Sequence, residues 1–177
     1  MGLFLKDINL KGKTALITGA TKGLGRGTAQ AIAEAGGDII AIGRNQSELN
    51  SLGKIIKKFR VKYVSFNCDV NNFNRIKNFI SKLKRLDILV NNAGTNIPES
   101  FLNVKKTSLE TLLNINTKSA FNVAQLCTNQ IIKLKRKQGS IINISSIFGL
   151  VAGQKRTVYS MTKFGIEGLT KGMALDL

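Results

Sequence analysis

Short apolar runs alternate with longer stretches of helical period along most of this 177-residue chain. The strand-like runs are Thr14–Thr18, Ile39–Ile42, Tyr63–Asn67, Leu86–Asn91 and Ser140–Ser145. The first, fourth and fifth are almost continuously apolar, the pattern of strands covered on both faces. Between the runs, apolar positions recur at three- and four-residue spacing. That period predicts helices over roughly Leu24–Ala35, Ser47–Lys58, Asn74–Lys84 and Ser108–Lys135, and a last helix from about Val158 to the end. Asn45 with Glu48, and Thr107 with Glu110, have the spacing of a capping box at two helix starts. Repeated β-α units predict one α/β domain over 1–177, a Rossmann-type doubly wound parallel β-sheet with helices on both faces.

Such sheets bind ligands at the carboxyl ends of their strands, near the point where the strand order reverses. The unusual polar residues fall at those ends. Gly19, Thr21, Lys22, Gly23, Leu24 and Gly25 follow the first strand, Gly43-Arg44 the second, and Asp69-Val70 the third. Asn92, Ala93 and Gly94 follow the fourth, and Ser145-Ser146 the fifth.

The glycine turn lets backbone N–H groups and a helix N-terminus face a pyrophosphate. Its spacing, Gly-x3-Gly-x-Gly, differs from the commoner dinucleotide fingerprint, and a tight turn without a ligand would have the same composition. An acidic residue at the end of the second strand would meet a ribose 2′-hydroxyl. Here that place holds Gly43 and Arg44. Arg44, with Lys22 beside it, offers positive charge to a 2′-phosphate, so NADP(H) is favoured and NAD(H) is the alternative. Both bases also read as ordinary solvated surface residues.

Tyr159 and Lys163 stand four residues apart and share a helix face. An ammonium one turn from a phenol favours the ionised form of that phenol, which suits it to general acid–base work. Ser146 precedes Tyr159 by thirteen positions and would orient a substrate oxygen, with Ser145 as its rival. In reduction Tyr159 would give its proton to the oxygen as hydride reaches the carbon.

Composition narrows the alternatives. The formal charge is +17, which raises the question of nucleic acid or an acidic surface. The bases are dispersed, however, and several fall near predicted helix ends (Lys57, Lys58; Lys82, Lys84, Arg85; Lys133, Lys135, Arg136, Lys137), where they complement helix dipoles. Few aromatics are interleaved with them, so neither a nucleic-acid nor a membrane partner is expected. The chain has no His and only Cys68 and Cys127, which leaves no metal-ligand pattern and suits reduced thiols in the cytoplasm. Met1–Lys6 lacks the apolar core of a signal peptide, and Lys6 stands where a myristoylation site needs Ser or Thr.

Taken as a set, Thr18-Gly-x3-Gly-x-Gly25, Asp69-Val70, Asn91-Asn-Ala-Gly94, Asn114-Ile-Asn116-Thr117, Ser146 and Tyr159-x3-Lys163 resemble the short-chain dehydrogenase/reductase family over essentially the whole chain. The resemblance implies a catalytic tetrad of Asn116, Ser146, Tyr159 and Lys163, with Asn116 holding a water that links Lys163 to a proton relay. It implies adenine contacts from Asp69 and Val70. It also implies a cofactor lining of Asn92, Ala93, Gly94, Tyr159 and Lys163, with Asn91 bracing the sheet. Read alone, Asn116 would satisfy a helix backbone and Asp69 would cap a helix. Members of this family act on sugar acids, polyols, 3-oxoacyl compounds and other carbonyls or secondary alcohols, and commonly form dimers or tetramers. They continue past this point with a further strand, a loop and a final strand. The expectation is therefore a fragment or truncated form of an NAD(P)-dependent oxidoreductase, with a cofactor-binding protein that lacks catalysis as the alternative.

Overall fold

The computed structural model describes residues 8–136 and 138–177. The N-terminal readings on Met1–Lys6 and the base at Lys137 lie outside the described residues.

Five strands, β1 (Thr14–Thr18), β2 (Asp38–Gly43), β3 (Tyr63–Asn67), β4 (Ile88–Asn91) and β5 (Ser140–Asn143), form one parallel sheet in the order β3-β2-β1-β4-β5. The helices are α1 (Gly23–Glu34), α2 (Gln46–Ile56), α3 (Phe73–Ser81), α4 (Lys106–Leu113), α5 (Ser119–Lys133) and α6 (Thr157–Asp176). Alternate strand residues feed two cores. Leu16, Ile40, Ile42 and Leu89 pack with Ile76 and Ile80 of α3 and with Val123 and Cys127 of α5. Ile17, Ile39, Ala41 and Val90 pack on the other face with Ala29 and Ala33 of α1 and with Leu49, Leu52 and Ile56 of α2. The strand order reverses between β1 and β4, and this places the crevice between their carboxyl ends.

Four expectations are corrected. The fifth strand is not covered on both faces. Among the described residues β5 pairs with β4 alone, and Ser140 and Ile142, on one of its faces, are exposed. The single helix expected over Ser108–Lys135 is α4 and α5 joined by a π-helical turn, Asn114–Lys118. Thr107 does not cap α4, whose N-cap position is Lys105. The helix start is held from a distance instead: the Glu99 carboxylate accepts from the Lys105 N–H at 3.2 Å and from the Ser108 hydroxyl at 3.0 Å. At α2 only half of the capping box forms. Asn45 accepts from the Glu48 N–H, but the Glu48 side chain turns to Lys22 at 2.9 Å.

The amino ends of the strands are tied by a buried carboxylate. Asp87 Oδ2 accepts from the Thr14 N–H at 2.8 Å, and Oδ1 accepts from Arg136 Nε at 2.8 Å. Arg85 lies 3.4 Å away.

Candidate active site

After β1 the chain turns through Gly19 (φ 62°) and Gly23 (φ 49°) into α1. The N-cap residue of α1, Lys22, makes no side-chain cap, and the first turn carries no acid. The first amides of α1 therefore remain available to an anion.

Two close approaches require glycine here. A Cβ on Gly19 would stand 3.0 Å from the Ala93 Cα, and one on Gly25 would collide with the Gly19 carbonyl oxygen and the Asn92 amide. The turn and the end of β4 are locked by Thr18 and Asn92. The Thr18 hydroxyl oxygen accepts from the N–H groups of both Asn92 and Ala93 at 3.0 Å. The Asn92 side-chain amide donates to the carbonyls of Thr18 and Gly19 at 3.0 and 3.2 Å. Gly25→Val is therefore expected to open this lock. Nucleotide affinity, followed by fluorescence titration, should fall at least about tenfold while the circular dichroism spectrum stays folded.

A cleft of about 490 Å³ lies over these strand ends. Gly19, Thr21, Lys22, Arg44, Asp69, Val70, Ala93 and Gly94 line it, as do Glu48, Cys68, Thr95 and Thr111. Its lining, open helix end and glycine approach fit a dinucleotide. Of the expected cofactor residues, Leu24 points to solvent (73% exposed), while Gly25 and Asn92 act behind the wall. Arg44 and Lys22 are both largely exposed, and each has an acidic neighbour. Arg44 lies 3.7 Å from Asp69, and Lys22 pairs with Glu48. The Lys22 hydrogen bond, and after it Thr21 and the charges of Lys22 and Arg26, hold the Glu48 carboxyl below its ordinary range. Asp69 does not cap α3. It accepts from the Asn71 N–H at 2.8 Å, and the N-cap of α3 is Asn72.

Beyond the cleft, Asn116 sits in the π-helical turn, 2% exposed. It does not serve its own helix. Its Oδ1 accepts from the Thr95 N–H at 2.8 Å, and its Nδ2 donates to the Thr95 carbonyl at 2.9 Å and to Thr162 Oγ1 at 3.1 Å. Thr162 in turn donates to the Tyr159 carbonyl at 2.7 Å. The wound-out turn thus aims one amide at both the loop after β4 and the turn of α6 that carries Tyr159 and Lys163.

Lys163 is 6% exposed. Burial pushes its pKa down from the usual lysine value. Its Nζ donates to the Ile144 carbonyl at 2.8 Å and stands 5.7 Å from the centre of the Tyr159 ring. A Cβ on Gly94 would lie within 4 Å of both Asn116 Oδ1 and Lys163 Nζ, so these residues share one corner. The Tyr159 ring meets Phe148 edge-on, with centroids 6.1 Å apart.

The two serines separate by their partners. Ser145 Oγ turns to the Lys163 backbone carbonyl at 3.5 Å. Ser146 Oγ accepts from the Phe148 N–H at 3.2 Å, which leaves its own hydroxyl hydrogen to donate. The chain's other tyrosine has a different setting. Tyr63 donates to the Leu49 carbonyl at 2.7 Å, and burial pushes it up to about 12.

The family profile described as short chain dehydrogenase matches residues 13–177. The chain belongs to that family. It is an NAD(P)-dependent oxidoreductase of the short-chain dehydrogenase/reductase type, acting on CH–OH or carbonyl groups. The chain is 33% identical to 3-oxoacyl-acyl-carrier-protein reductase of Thermotoga maritima, over 96% of this chain and 70% of that one. It is 36% identical to 2-dehydro-3-deoxy-D-gluconate 5-dehydrogenase of Bacillus subtilis, over 98% of this chain and 68% of that one. Carveol dehydrogenase from Mycobacterium avium, solved with NAD, superposes with a TM-score of 0.89 at 27% identity, covering 96% of this chain and 67% of that one.

Three site residues have contacts that lay outside the sequence reading. Thr18 was visible only as the residue before the glycine turn. Thr95 opens the segment Thr95–Ser100, which reads from sequence as a flank of the substrate cleft, but its bonds to Asn116, like that of Thr162, carried no signal, because Asn116 is distant in sequence from both. Among the described residues no group of three or more His, Cys, Asp or Glu is placed to hold a metal. None of the described helices is long and apolar enough to cross a membrane.

Proposed function

We propose that this domain reduces or oxidises a small carbonyl or secondary alcohol with NADP(H), using Tyr159 as proton donor and acceptor. The observation that carries this reading is the Asn116–Thr162–Tyr159 chain of hydrogen bonds beside buried Lys163. A nicotinamide dinucleotide supplies or takes the hydride when bound. Gly19, Thr21, Lys22, Ala93, Gly94 and the first amides of α1 would hold it, with Asp69 and Val70 at the adenine end and Arg44 at the ribose.

Ser146 holds the substrate oxygen by the hydrogen it has free, Tyr159 exchanges a proton with that oxygen, and Lys163 keeps a positive charge near the phenol. Asn116 positions the loop after β4 against α6; a water held there would extend the proton path. Substrates such as sugar acids, polyols or 3-oxoacyl compounds fit this chemistry. The free thiols Cys68 and Cys127 fit a reducing cytoplasmic setting. Half-exposed Phe121, Met161 and Phe164 on α5 and α6 support self-association through these helices.

Arg44 tests the cofactor choice. It has an exposed, long pairing with Asp69 and is free to swing to a 2′-phosphate. Arg44→Ala is expected to weaken NADPH about tenfold, roughly one charge-assisted contact, and to leave NADH almost unchanged. Tighter binding of NADH than NADPH by the unsubstituted chain would reverse the assignment.

The alternative reading is nucleotide binding without turnover. Saturable NADPH binding with no turnover across a broad carbonyl and alcohol panel would select that reading.

A further inference from the structure

Lysine and arginine are scattered along the sequence, but the topology gathers many of them. All five strands are parallel, so every segment leading into a strand reaches the same end of the sheet, opposite the cleft. These segments carry two bases before β1, four before β3, three before β4 and three before β5, among them Lys13, Lys62, Lys84 and Lys133. The acids at this end are Glu34, Asp38 and Asp87 in these segments and Asp176 at the end of α6, so the bases outnumber them about three to one.

Helix dipoles do not account for this excess. Each helix end supplies only about half a negative charge, and the effect fades beyond the last turn. Of these twelve bases Lys133 falls in the last turn of α5, and Lys57 and Lys82 are the C-cap residues of α2 and α3; the other nine lie beyond the α-helix ends. The dispersal that argued against an anionic partner is a property of the sequence and not of the fold.

We propose that this end of the domain docks on an anionic phospholipid bilayer. Its bases span the sheet from β3 to β5, a width of about 19 Å at ordinary strand spacing. Nine of the twelve are lysines, and two of the three arginines, Arg85 and Arg136, are already on Asp87. Lysine is a compact hydrated charge suited to a diffuse headgroup field and lacks the fork that reads individual phosphates. Exposed apolar side chains stand among these bases at separate points: Ile8 (49%), Phe59 (36%) and Ile132 (62%). These have the length and chemistry to enter a headgroup layer. A nucleic acid is the poorer fit. The helices end at this face and do not lie across it, so no element projects into a groove, and Phe59 alone gives no stacking platform. Docked this way, the cleft at the opposite end of the strands faces water.

The test is flotation with phosphatidylcholine vesicles, with and without phosphatidylserine, alongside a random-sequence DNA duplex at the same ionic strength. Binding is expected only to vesicles containing phosphatidylserine, and should disappear at high salt. Lys62→Gln, Lys84→Gln and Lys133→Gln together should weaken it about a hundredfold, near fivefold per lysine. The equally charged control Lys105→Gln, Lys106→Gln and Lys118→Gln should weaken it far less. Both triple variants should keep their circular dichroism spectra and NADPH affinity. Failure to bind phosphatidylserine vesicles, equal losses in both triple variants, or tighter binding of the duplex would each overturn the proposal.

Discussion

Tyr159→Phe is expected to lower kcat/KM about 10²- to 10⁴-fold, the usual worth of a positioned proton-transfer group, with nucleotide affinity almost unchanged. The substitution removes one oxygen and leaves the ring. Phenylalanine keeps the edge contact with Phe148 and the place of residue 159 in α6. The helix turn stays anchored, because its hydrogen bonds run through the Tyr159 backbone carbonyl and Thr162 and do not use the phenol. The loss should therefore appear in kcat more than in nucleotide binding. The same change at Tyr63 should leave turnover nearly intact, since that phenol is spent on the Leu49 carbonyl in the wall between α2 and β3. Turnover retained in Tyr159→Phe would remove the phenol from the reaction.

Asp87→Asn should destabilise the fold by about 2–3 kcal/mol, the scale for hydrogen bonds to charged groups. Asp87 is 2% exposed and stands where β1, β4 and β5 begin. Its carboxylate holds the Thr14 N–H and Arg136, and its backbone carbonyl accepts from the Ser140 N–H at 3.0 Å. An amide in its place keeps some of these bonds but leaves two guanidinium groups without their counter-charge.

The pH dependence follows from the same contacts. Burial alone would raise the Asp87 pKa, but the Thr14 N–H, Arg136 and Arg85 outweigh it and hold the carboxyl below the usual aspartate value. A depressed folded-state pKa gives stability that is present above the unfolded pKa, about 4, and is lost as pH falls through the folded value. Urea unfolding should therefore show the full gap between the two proteins near neutrality and a shrinking gap below about pH 4. A gap that stayed constant into that range would show that the charge of Asp87 contributes nothing.

The sheet was legible because a strand buried on both faces is almost continuously apolar, as β1 is between Thr14 and Thr18, and β3 has the expected limits at both ends. The glycine turn and the polar strand ends were legible for a related reason: close backbone approach needs residues without a Cβ. Contacts between segments distant in sequence were not legible. The break between α4 and α5 depends on Asn116 reaching Thr95 and Thr162, and local helical period carries no trace of it. The capping of α4 by Glu99 instead of Thr107 has the same origin, a loop folded back over the helix start. β5 read as covered on both faces because composition reports apolarity and not which helices pack over a strand, and among the described residues Ile142 on it is exposed. The pairing of Arg44 with Asp69 and of Lys22 with Glu48 likewise needed three dimensions.

The central claim is that the cleft over the glycine turn holds a nicotinamide dinucleotide. A fluorescence titration of NADPH and NADH, on the unsubstituted protein and on Gly25→Val, addresses it most directly. Saturable binding, tighter for NADPH and lost in the variant, is the expected result. No saturation in the unsubstituted protein, or equal binding by both proteins, would place any nucleotide site elsewhere.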